Sequence, residues 1–266
     1  MPYAHSFDGT ALWYDVRGHG GGVPVLLIAG NGCDHSVWNY VIDDFSAERP
    51  VIVYDHRGTG KSGSNFTGAW STRDFARDAF AVLQAAGVAR AHVYGHSMGG
   101  RVAQWFAVDR PDATGALIIG ASSVGGKQGI PRSAEATKAM KENDTITLQA
   151  LCYPKSWSKE HPEQAMSGAP NPHDMNTFLW HMRASEEHDS WDIALSITSP
   201  TLVIHGSEDG ITHPGNSEIL AARIPTARLL IVDKSKHVYW ADHPEVHHTV
   251  SAFMKETERG GVPSAD

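Results

Sequence analysis

Short apolar runs of strand character alternate with helical patterns along most of this chain, and that alternation constrains its fold most strongly. The run Val25-Leu26-Leu27-Ile28 contains no polar residue and is closely followed by Gly30, which is typical of a strand buried on both faces. Residues 11–16 alternate between apolar and polar types and predict an edge strand. Five further runs resemble the first: residues 51–54, 91–94, 116–119, 201–204 and 229–232.

The segments between these runs carry apolar residues at helical spacing. The stripes include Trp38, Val41, Ile42 and Phe45, then Phe75, Ala79, Val82, Leu83 and Ala86. Ser71 and Asp74 predict a capping box at the start of one helix, and Pro244 occupies the predicted first position of the closing helix. Such alternation predicts an α/β fold, with a mostly parallel sheet and helices on both faces.

One long segment, residues 122–195, interrupts the alternation because it contains helical pieces but no clear strand. We interpret it as a helical cap inserted over one edge of the sheet. The predicted organisation is therefore a first part of the core at 1–121, the cap at 122–195, and the second part of the core at 196–266. Residues 260–266 have the composition of a frayed tail.

Composition excludes several classes of partner. A formal net charge of −8, with no basic cluster, argues against nucleic acid, which requires a positively charged surface. No apolar run approaches the roughly 20 residues of a membrane span, and the N-terminal residues lack a signal-peptide pattern. Two cysteines, Cys33 and Cys152, do not form a disulfide framework, which favours the cytoplasm.

The 16 histidines and two cysteines show neither His-x-Glu-x-x-His nor Cys-x-x-Cys spacing. We therefore expect no metal and no cofactor. The sequence does not indicate an oligomeric state.

The motif Gly95-His96-Ser97-Met98-Gly99-Gly100 carries the clearest chemical signal. It matches Gly-x-Ser-x-Gly, directly after the strand at 91–94 and directly before a helical stripe. A sharp strand-to-helix turn requires small neighbours, which Gly95 and Gly99 supply, and it exposes the serine at the N-terminus of a helix. Ser97 is therefore a candidate nucleophile.

Two further motifs accompany this turn, one covering residues 55–62 (Asp-His-Arg-Gly-Thr-Gly-Lys-Ser) and the other residues 205–209 (His-Gly-Ser-Glu-Asp). Together the three resemble the successive landmarks of the α/β-hydrolase superfamily, over nearly the whole chain. The resemblance implies an eight-stranded sheet, a helical cap, and a catalytic triad in the chain order serine, acid, histidine.

That order selects Asp209, which follows the strand at 201–204, as the acid, and His237, which follows the last predicted strand, as the base. Glu208 and Asp233 are the rival acids, and we interpret Asp233 as a surface or supporting carboxylate. A third position used by some relatives reads Gly120-Ala121-Ser122 and lacks a carboxylate. His96 is interpreted as a packing residue.

Three histidines of the closing segment, His243, His247 and His248, are predicted to be solvated. The motif at 55–62 is interpreted as structural, because it lacks the pattern of a phosphate-binding loop.

An oxyanion hole requires two N–H donors, and the amide of Met98 is the first candidate. The family usually has His-Gly in the loop after the strand at 25–28, whereas this chain reads Gly30-Asn31-Gly32-Cys33. We place Asn31 at the histidine position and predict the amide of Cys33 as the second donor. The Cys33 thiol is expected to face or underlie the pocket without acting as a nucleophile.

The nucleophile indicates the reaction class. Haloalkane dehalogenases and epoxide hydrolases of this fold have an aspartate where this chain has Ser97, so those activities are disfavoured. We predict a serine hydrolase that cleaves a small-molecule carboxylic ester or lactone. The stretch Tyr153-Pro154-Lys155-Ser156-Trp157 is similar to one in enol-lactonase and aminoacrylate-hydrolase relatives.

Three alternatives stay open: a carbon–carbon bond hydrolase of ring-cleavage products, a cofactor-free perhydrolase, and a ligand receptor that retains a triad. In the cap, Met175, Phe178, Leu179 and Met182 form a predicted apolar stripe. Trp180 and Arg183 lie off that stripe and are, with Asn31, the predicted substrate-binding residues of an enclosed pocket.

Overall fold

The computed structural model describes residues 2–65, 69–167 and 170–260, so most of the predicted tail at 260–266 lies outside the described residues. The strands are β1 Tyr3–His5, β2 Ala11–Arg17, β3 Val25–Ile28, β4 Val51–Tyr54, β5 Ala91–His96, β6 Thr114–Gly120, β7 Thr201–Gly206 and β8 Ala227–Val232. The α-helices are α1 Ile42–Ser46, α2 Thr72–Ala85, α3 Met98–Asp109, α4 Ala134–Glu142, α5 Thr145–Cys152, α6 Lys155–Glu160, α7 Pro162–Ser167, α8 Met175–Glu186, α9 Gly215–Arg223 and α10 Val246–Glu258.

The eight strands form one sheet in the order β1-β2-β4-β3-β5-β6-β7-β8. The β1–β2 and β2–β4 pairs are antiparallel, and all other neighbours are parallel. This sheet confirms the predicted α/β-hydrolase fold. The prediction that residues 11–16 form the edge strand is wrong, because β1 pairs with β2 and covers it. With three residues, β1 was too short for its alternation to be recognised.

Side-chain alternation along the central strands builds a core on each face of the sheet. Leu26 and Ile28 of β3 belong to one buried cluster, and Val25 and Leu27 belong to the other. All four are fully buried, which explains why β3 reads as a continuous apolar run rather than an alternating one.

The helix boundaries differ from the sequence predictions in two places. The stripe from Trp38 to Phe45 is divided between a 3-10 helix at His35–Trp38 and the short α1, although all four stripe residues are buried. Helix α10 begins at Val246 and not at Pro244. The capping box of α2 is present, with the Ser71 and Asp74 side chains each bonding the other residue's backbone N–H.

Between β6 and β7 the described residues form α4 to α8 and a 3-10 helix at Ile193–Ser196, with no strand among the named elements. The helical character of this segment is as predicted, and its division from the core as a separate cap stays a prediction. Within the described residues, no helix has both the length and the apolar character needed to cross a membrane.

Candidate active site

The turn between β5 and α3 holds Ser97 in a strained backbone conformation, with φ +58° and ψ −119°. A Cβ on Gly95 would lie 2.1 Å from the Gly99 carbonyl oxygen, so the close approach of strand and helix requires glycine. The turn is held by bonds from Ser97 N–H to the Gly120 carbonyl and from the Ser122 hydroxyl to the Ser97 carbonyl, each 2.8 Å. The Ser97 side chain lines a cavity at the C-terminal edge of the sheet.

His237 and Asp209 come together from the loops after β8 and β7. His237 Nδ1 donates to Asp209 Oδ2 over 2.7 Å, and both side chains are buried. Because Nδ1 carries the proton in this bond, Nε2 of a neutral His237 is the proton acceptor. His237 lines the same cavity as Ser97, so the structure brings the three predicted residues to one place.

A second histidine, His205, also contacts the Asp209 carboxylate, and sequence reasoning assigned it no role. Its Nε2–H lies 2.9 Å from both Asp209 Oδ2 and the Thr212 carbonyl oxygen. The other oxygen, Oδ1, accepts the N–H groups of Ile211 at 2.7 Å and Thr212 at 2.9 Å. Burial by itself raises the pKa of Asp209, but the charge of His237 and the bonds from both histidines outweigh it and hold that pKa well below its usual range.

The rival residues lie elsewhere. Glu208 and Asp233 are exposed, and neither lines the cavity. His96 is buried, and its Nε2–H donates to the His237 carbonyl over 2.9 Å, which fits its predicted packing role.

The prediction of three solvated histidines near the C-terminus is wrong for His247. Its ring is buried on the inner face of α10, and Nδ1 lies 2.7 Å from Asp44 Oδ2. His248 is exposed, and His243 is partly exposed and bonds Glu245. His247, Val250 and Met254 share the spacing i, i+3 and i+7, which turns them toward the core.

The loop after β3 corrects the predicted second oxyanion donor. The Cys33 amide is already committed to the Gly30 carbonyl at 3.2 Å, and the Gly32 amide donates to His181 Nδ1 at 3.3 Å. Among the described residues, the amide of Asn31 bonds no acceptor. Asn31 directly follows Gly30, and a Cβ added to Gly30 would lie 3.8 Å from Ser97 Oγ, so this part of the loop is close to the nucleophile. Asn31 is therefore the better candidate donor beside Met98, whose N–H begins α3 and has no partner within the helix.

Asn31 and Cys33 both line the cavity. Both polar side-chain atoms of Asn31 are buried and have no hydrogen-bond partner within the described part of the chain, so they are available to a bound molecule. Burial and the nearby Asp34 charge raise the pKa of the Cys33 thiol to about 12. A thiol held protonated in this way is a poor nucleophile, as expected from the sequence.

Trp180 and Arg183 do not line the cavity, which contradicts their predicted role. Arg183 is exposed, forms an ion pair with Glu187 at 2.7 Å, and lies over the Trp180 ring. Helix α8 is rotated so that Phe178 and Met182 face inward, and of these Phe178 reaches the cavity.

The cavity has a volume of about 90 Å³. Apolar groups from the helical segment form much of its wall: Met140, Leu148, Cys152, Tyr153, Pro170 and Phe178. Tyr153, from the stretch singled out in the sequence, also stacks on Trp157 with 5.1 Å between ring centroids. A small apolar chamber with few polar groups suits a small acyl compound.

Helix α8 and the residues before it brace the candidate oxyanion loop. His181 accepts the Gly32 N–H, and the Asn171 N–H donates to the Gly32 carbonyl at 2.8 Å. Gly32 has φ +67°, and a Cβ there would lie 2.7 Å from a ring carbon of Phe178. The loop position is therefore set from outside the loop.

Gly32→Ala is expected to lower kcat by about 100-fold, because a displaced loop carries its N–H donor away from the reacting oxygen. Gly87→Ala is the matched control, since Gly87 has φ +71° but open space around it. Both variants carry the backbone cost of about 1–2 kcal/mol, which urea denaturation measures. An equal loss of kcat in both variants would contradict a specific role for the loop.

Three buried histidines, His56, His96 and His181, are held neutral in the folded protein. Each donates Nε2–H to a backbone carbonyl, of Ala29, His237 and Arg57 respectively. Burial is the main cause that lowers the pKa of His56 to about 4 and those of His96 and His181 to about 3. In the unfolded chain the pKa of each of these side chains returns to about 6.5.

The unfolded chain therefore binds more protons than the native protein below pH 6.5, and stability falls as the pH is lowered through that value. Between pH 7.5 and 5.5 we expect each histidine to remove somewhat more than ~1 kcal/mol, and the three together ~4 kcal/mol, from the free energy of unfolding. Urea denaturation at the two pH values measures this loss. His181→Gln is expected to reduce this loss of stability. Replacement of the exposed His5 is the control and should leave the loss as in the wild type. An unchanged loss in His181→Gln would contradict the role given to the buried histidine.

The motif at 55–62 has the structural role predicted for it. Arg57 is buried and forms paired bonds with Asp78, at 2.7 and 2.6 Å, and a further bond with Asp8 at 2.7 Å. Ser62 donates to the Asp55 carbonyl and accepts the Trp13 N–H, which joins the loop to β2.

Among the described residues, one trio could contact a common cation: Asp34, His35 and Asp55. Its carboxylates already accept protein donors. Asp55 accepts two donors from His35, the N–H at 2.9 Å and Nδ1 at 2.6 Å, and Asp34 accepts Ser36 N–H at 2.8 Å and Asn171 Nδ2 at 2.7 Å. These bonds give the trio a structural function without an ion.

The family model Hydrolase_4, described as serine aminopeptidase, S33, matches residues 25–243. The chain belongs to this family. A putative carbamate hydrolase RutD from Azorhizobium caulinodans is 34% identical over 92% of this chain and 95% of that protein. A second protein of the same name, from Variovorax paradoxus, is 26% identical over 95% of this chain and 99% of its own length.

Solved structures of other proteins share the fold of this chain. Est816, described as an N-acyl homoserine lactone degrading enzyme, is 29% identical with a TM-score of 0.81, covering 95% of this chain and all of that chain (100%). The enol-lactonase from Burkholderia xenovorans is 24% identical, and its alignment covers 96% of this chain and 100% of the lactonase chain. Its TM-score of 0.83 shows the shared fold. The chain is thus a hydrolase of the α/β type.

Proposed function

We propose that this hydrolase cleaves a small carboxylic ester or lactone through an acyl-enzyme on Ser97. The observation that carries the proposal is the His237–Asp209 hydrogen bond of 2.7 Å beside the cavity that Ser97 lines from its strained turn. A hydroxyl, a neutral imidazole and an ionised carboxylate in this arrangement are the components of nucleophilic acyl transfer.

In the first half of the proposed reaction, Ser97 Oγ attacks the substrate carbonyl and its proton passes to His237 Nε2. Asp209 stabilises the imidazolium that forms, because its carboxylate stays ionised and bonds Nδ1. The developing oxyanion accepts the N–H groups of Met98 and Asn31. His237 then returns the proton to the leaving alkoxide, which departs as an alcohol and leaves the acyl group on Ser97.

In the second half, a water molecule loses a proton to His237 and attacks the acyl carbonyl. Collapse of the tetrahedral species releases the carboxylic acid, and the proton on His237 returns to Ser97. For a lactone, the leaving alcohol belongs to the same molecule, so the product is one hydroxy acid.

A carbamate is the second candidate substrate class, because relatives such as the 34% identical protein are named as putative carbamate hydrolases. Its carbonyl would be attacked by the same serine. The small apolar cavity accommodates a compact compound of either class.

A substrate screen tests the proposal. Short-chain p-nitrophenyl esters, a five-membered lactone and a small carbamate are compared by kcat/KM, with Ser97→Ala as the blank. We expect ester or lactone to be cleaved most efficiently, with short acyl chains preferred. A higher kcat/KM for the carbamate would replace the proposal with the second candidate, and tight binding without turnover of any compound would reject both.

A further inference from the structure

Arg101 is a partly buried cation whose hydrogen-bond partners in the described residues are all neutral. It lies in the second turn of α3, four residues after Ser97. Its guanidinium donates to the Ser185 carbonyl and hydroxyl and, over 2.9 Å, to the Ser123 hydroxyl. Among the described residues no carboxylate lies within ion-pair distance of it. A charge withdrawn from water without a counter-ion costs free energy.

A second arginine, Arg132, increases this imbalance. Its side chain is 14% exposed, and its only ion pair in the described part of the chain is a loose contact of 3.7 Å with Glu186, which is half-exposed. Burial and the positive charge of Arg132 lower the pKa of Arg101 to about 10, so Arg101 remains charged at neutral pH. Burial also lowers the pKa of Arg132, although the charges of Glu186 and Asp209 oppose that shift.

The two arginines line one cavity of about 250 Å³, together with Ser123, Thr137 and Glu186. None of its lining residues lines the catalytic cavity. Two positive groups against one carboxylate make this place locally cationic in a chain whose net charge is −8. Asp189 lies beside Gly126 at the cavity wall, but its carboxylate bonds the Trp191 N–H and does not line the cavity.

We propose that the Arg101–Arg132 cavity binds a small oxyanion, a carboxylate or a phosphate group. Free N–H groups of two guanidiniums can form charge-assisted hydrogen bonds to oxygens of either ion. The cavity lies close to the nucleophile turn along the chain. The Ser123 hydroxyl accepts a hydrogen bond from Arg101, and the adjacent Ser122 hydroxyl donates to the Ser97 carbonyl. The inference does not depend on the substrate of Ser97.

Isothermal titration with inorganic phosphate, and separately with malonate, tests the site at pH 7.5 and at an ionic strength held constant with NaCl. We expect saturable binding of one ion per chain, with a Kd of about 1 mM or tighter. Tighter binding of phosphate or of malonate identifies which of the two ions the site prefers. The absence of saturation up to about 20 mM of both ions would overturn the proposal.

Variants separate a binding role from a structural one. Arg132→Gln is expected to weaken binding at least 10-fold, because a charge-assisted bond is lost. Glu186→Gln is expected to tighten binding by up to about fivefold, since it removes the competing carboxylate. Arg183→Gln, on the exposed side of α8, is the matched control and leaves the Kd unchanged. If Arg132→Gln and Glu186→Gln both bind as the wild type does, the ion lies elsewhere and the proposal is wrong.

Discussion

Ser97→Ala is expected to lower kcat by about three to six orders of magnitude, the range seen when triad nucleophiles are removed. The loss is large because no nearby group replaces the hydroxyl. The Cys33 thiol shares the cavity, but its pKa of about 12 leaves it protonated at neutral pH. Steady-state kinetics on a short-chain p-nitrophenyl ester measures the loss.

A control variant and a covalent label make this result specific. Ser196→Ala removes an exposed hydroxyl that, among the described residues, bonds only the Ile193 carbonyl, and it should leave kcat unchanged. A serine-directed organophosphate should add once to the wild-type chain, on the peptide containing Ser97. A label found on another residue, or an active Ser97→Ala, would remove Ser97 from the mechanism.

Asp209→Asn is expected to lower kcat by about four orders of magnitude, the size of the effect when the acid of a triad becomes an amide. The contacts of Asp209 give the physical reason. Its two oxygens accept four donors, from His237, His205, Ile211 and Thr212. An amide brings an NH2 group among these N–H groups, so at least one bond is lost and His237 is pushed toward the tautomer that cannot accept the Ser97 proton.

Asp233→Asn is the matched control, because Asp233 is exposed and lies in the loop that leads to His237. It should retain wild-type kcat. Thermal unfolding of both variants separates a catalytic loss from a loss of structure. An active Asp209→Asn together with an inactive Asp233→Asn would transfer the acid role to Asp233.

The local sequence was sufficient for the elements whose pattern lies within one segment. Continuous apolar runs identified β3 to β7, because strands buried on both faces need apolar side chains throughout. The run at 229–232 also identified β8, although Leu229 and Ile231 of this edge strand are exposed. The short β1 carries too few residues for a pattern, so its pairing with β2 became visible only in the sheet. The capping box of α2 was recognised from Ser71 and Asp74 because it is a contact between residues three apart.

The candidate site divides in the same way. The glycine spacing around Ser97 and the chain order of Asp209 and His237 could be read from the sequence, since each follows a strand end and parallel strands bring their ends to one edge. The sequence could not show which amide of the loop after β3 is available as a donor. The Cys33 amide bonds within the loop, and the Gly32 amide bonds His181, about 150 residues away in the chain.

Long-range packing also decided which side chains reach the cavity. Trp180 and Phe178 are two residues apart on α8, and only the rotation of that helix against the core turns Phe178 inward. Arg101 of α3 and Arg132 from the loop before α4 likewise line one cavity because separate elements pack together. The sequence by itself determined the fold class and the chemical types at the site, because these depend on periodicity and on motifs. The tertiary structure alone decided which loop amide is the candidate donor, which side chains form the cavity wall and which groups surround the two arginines, because each depends on which separate segments of the chain pack together.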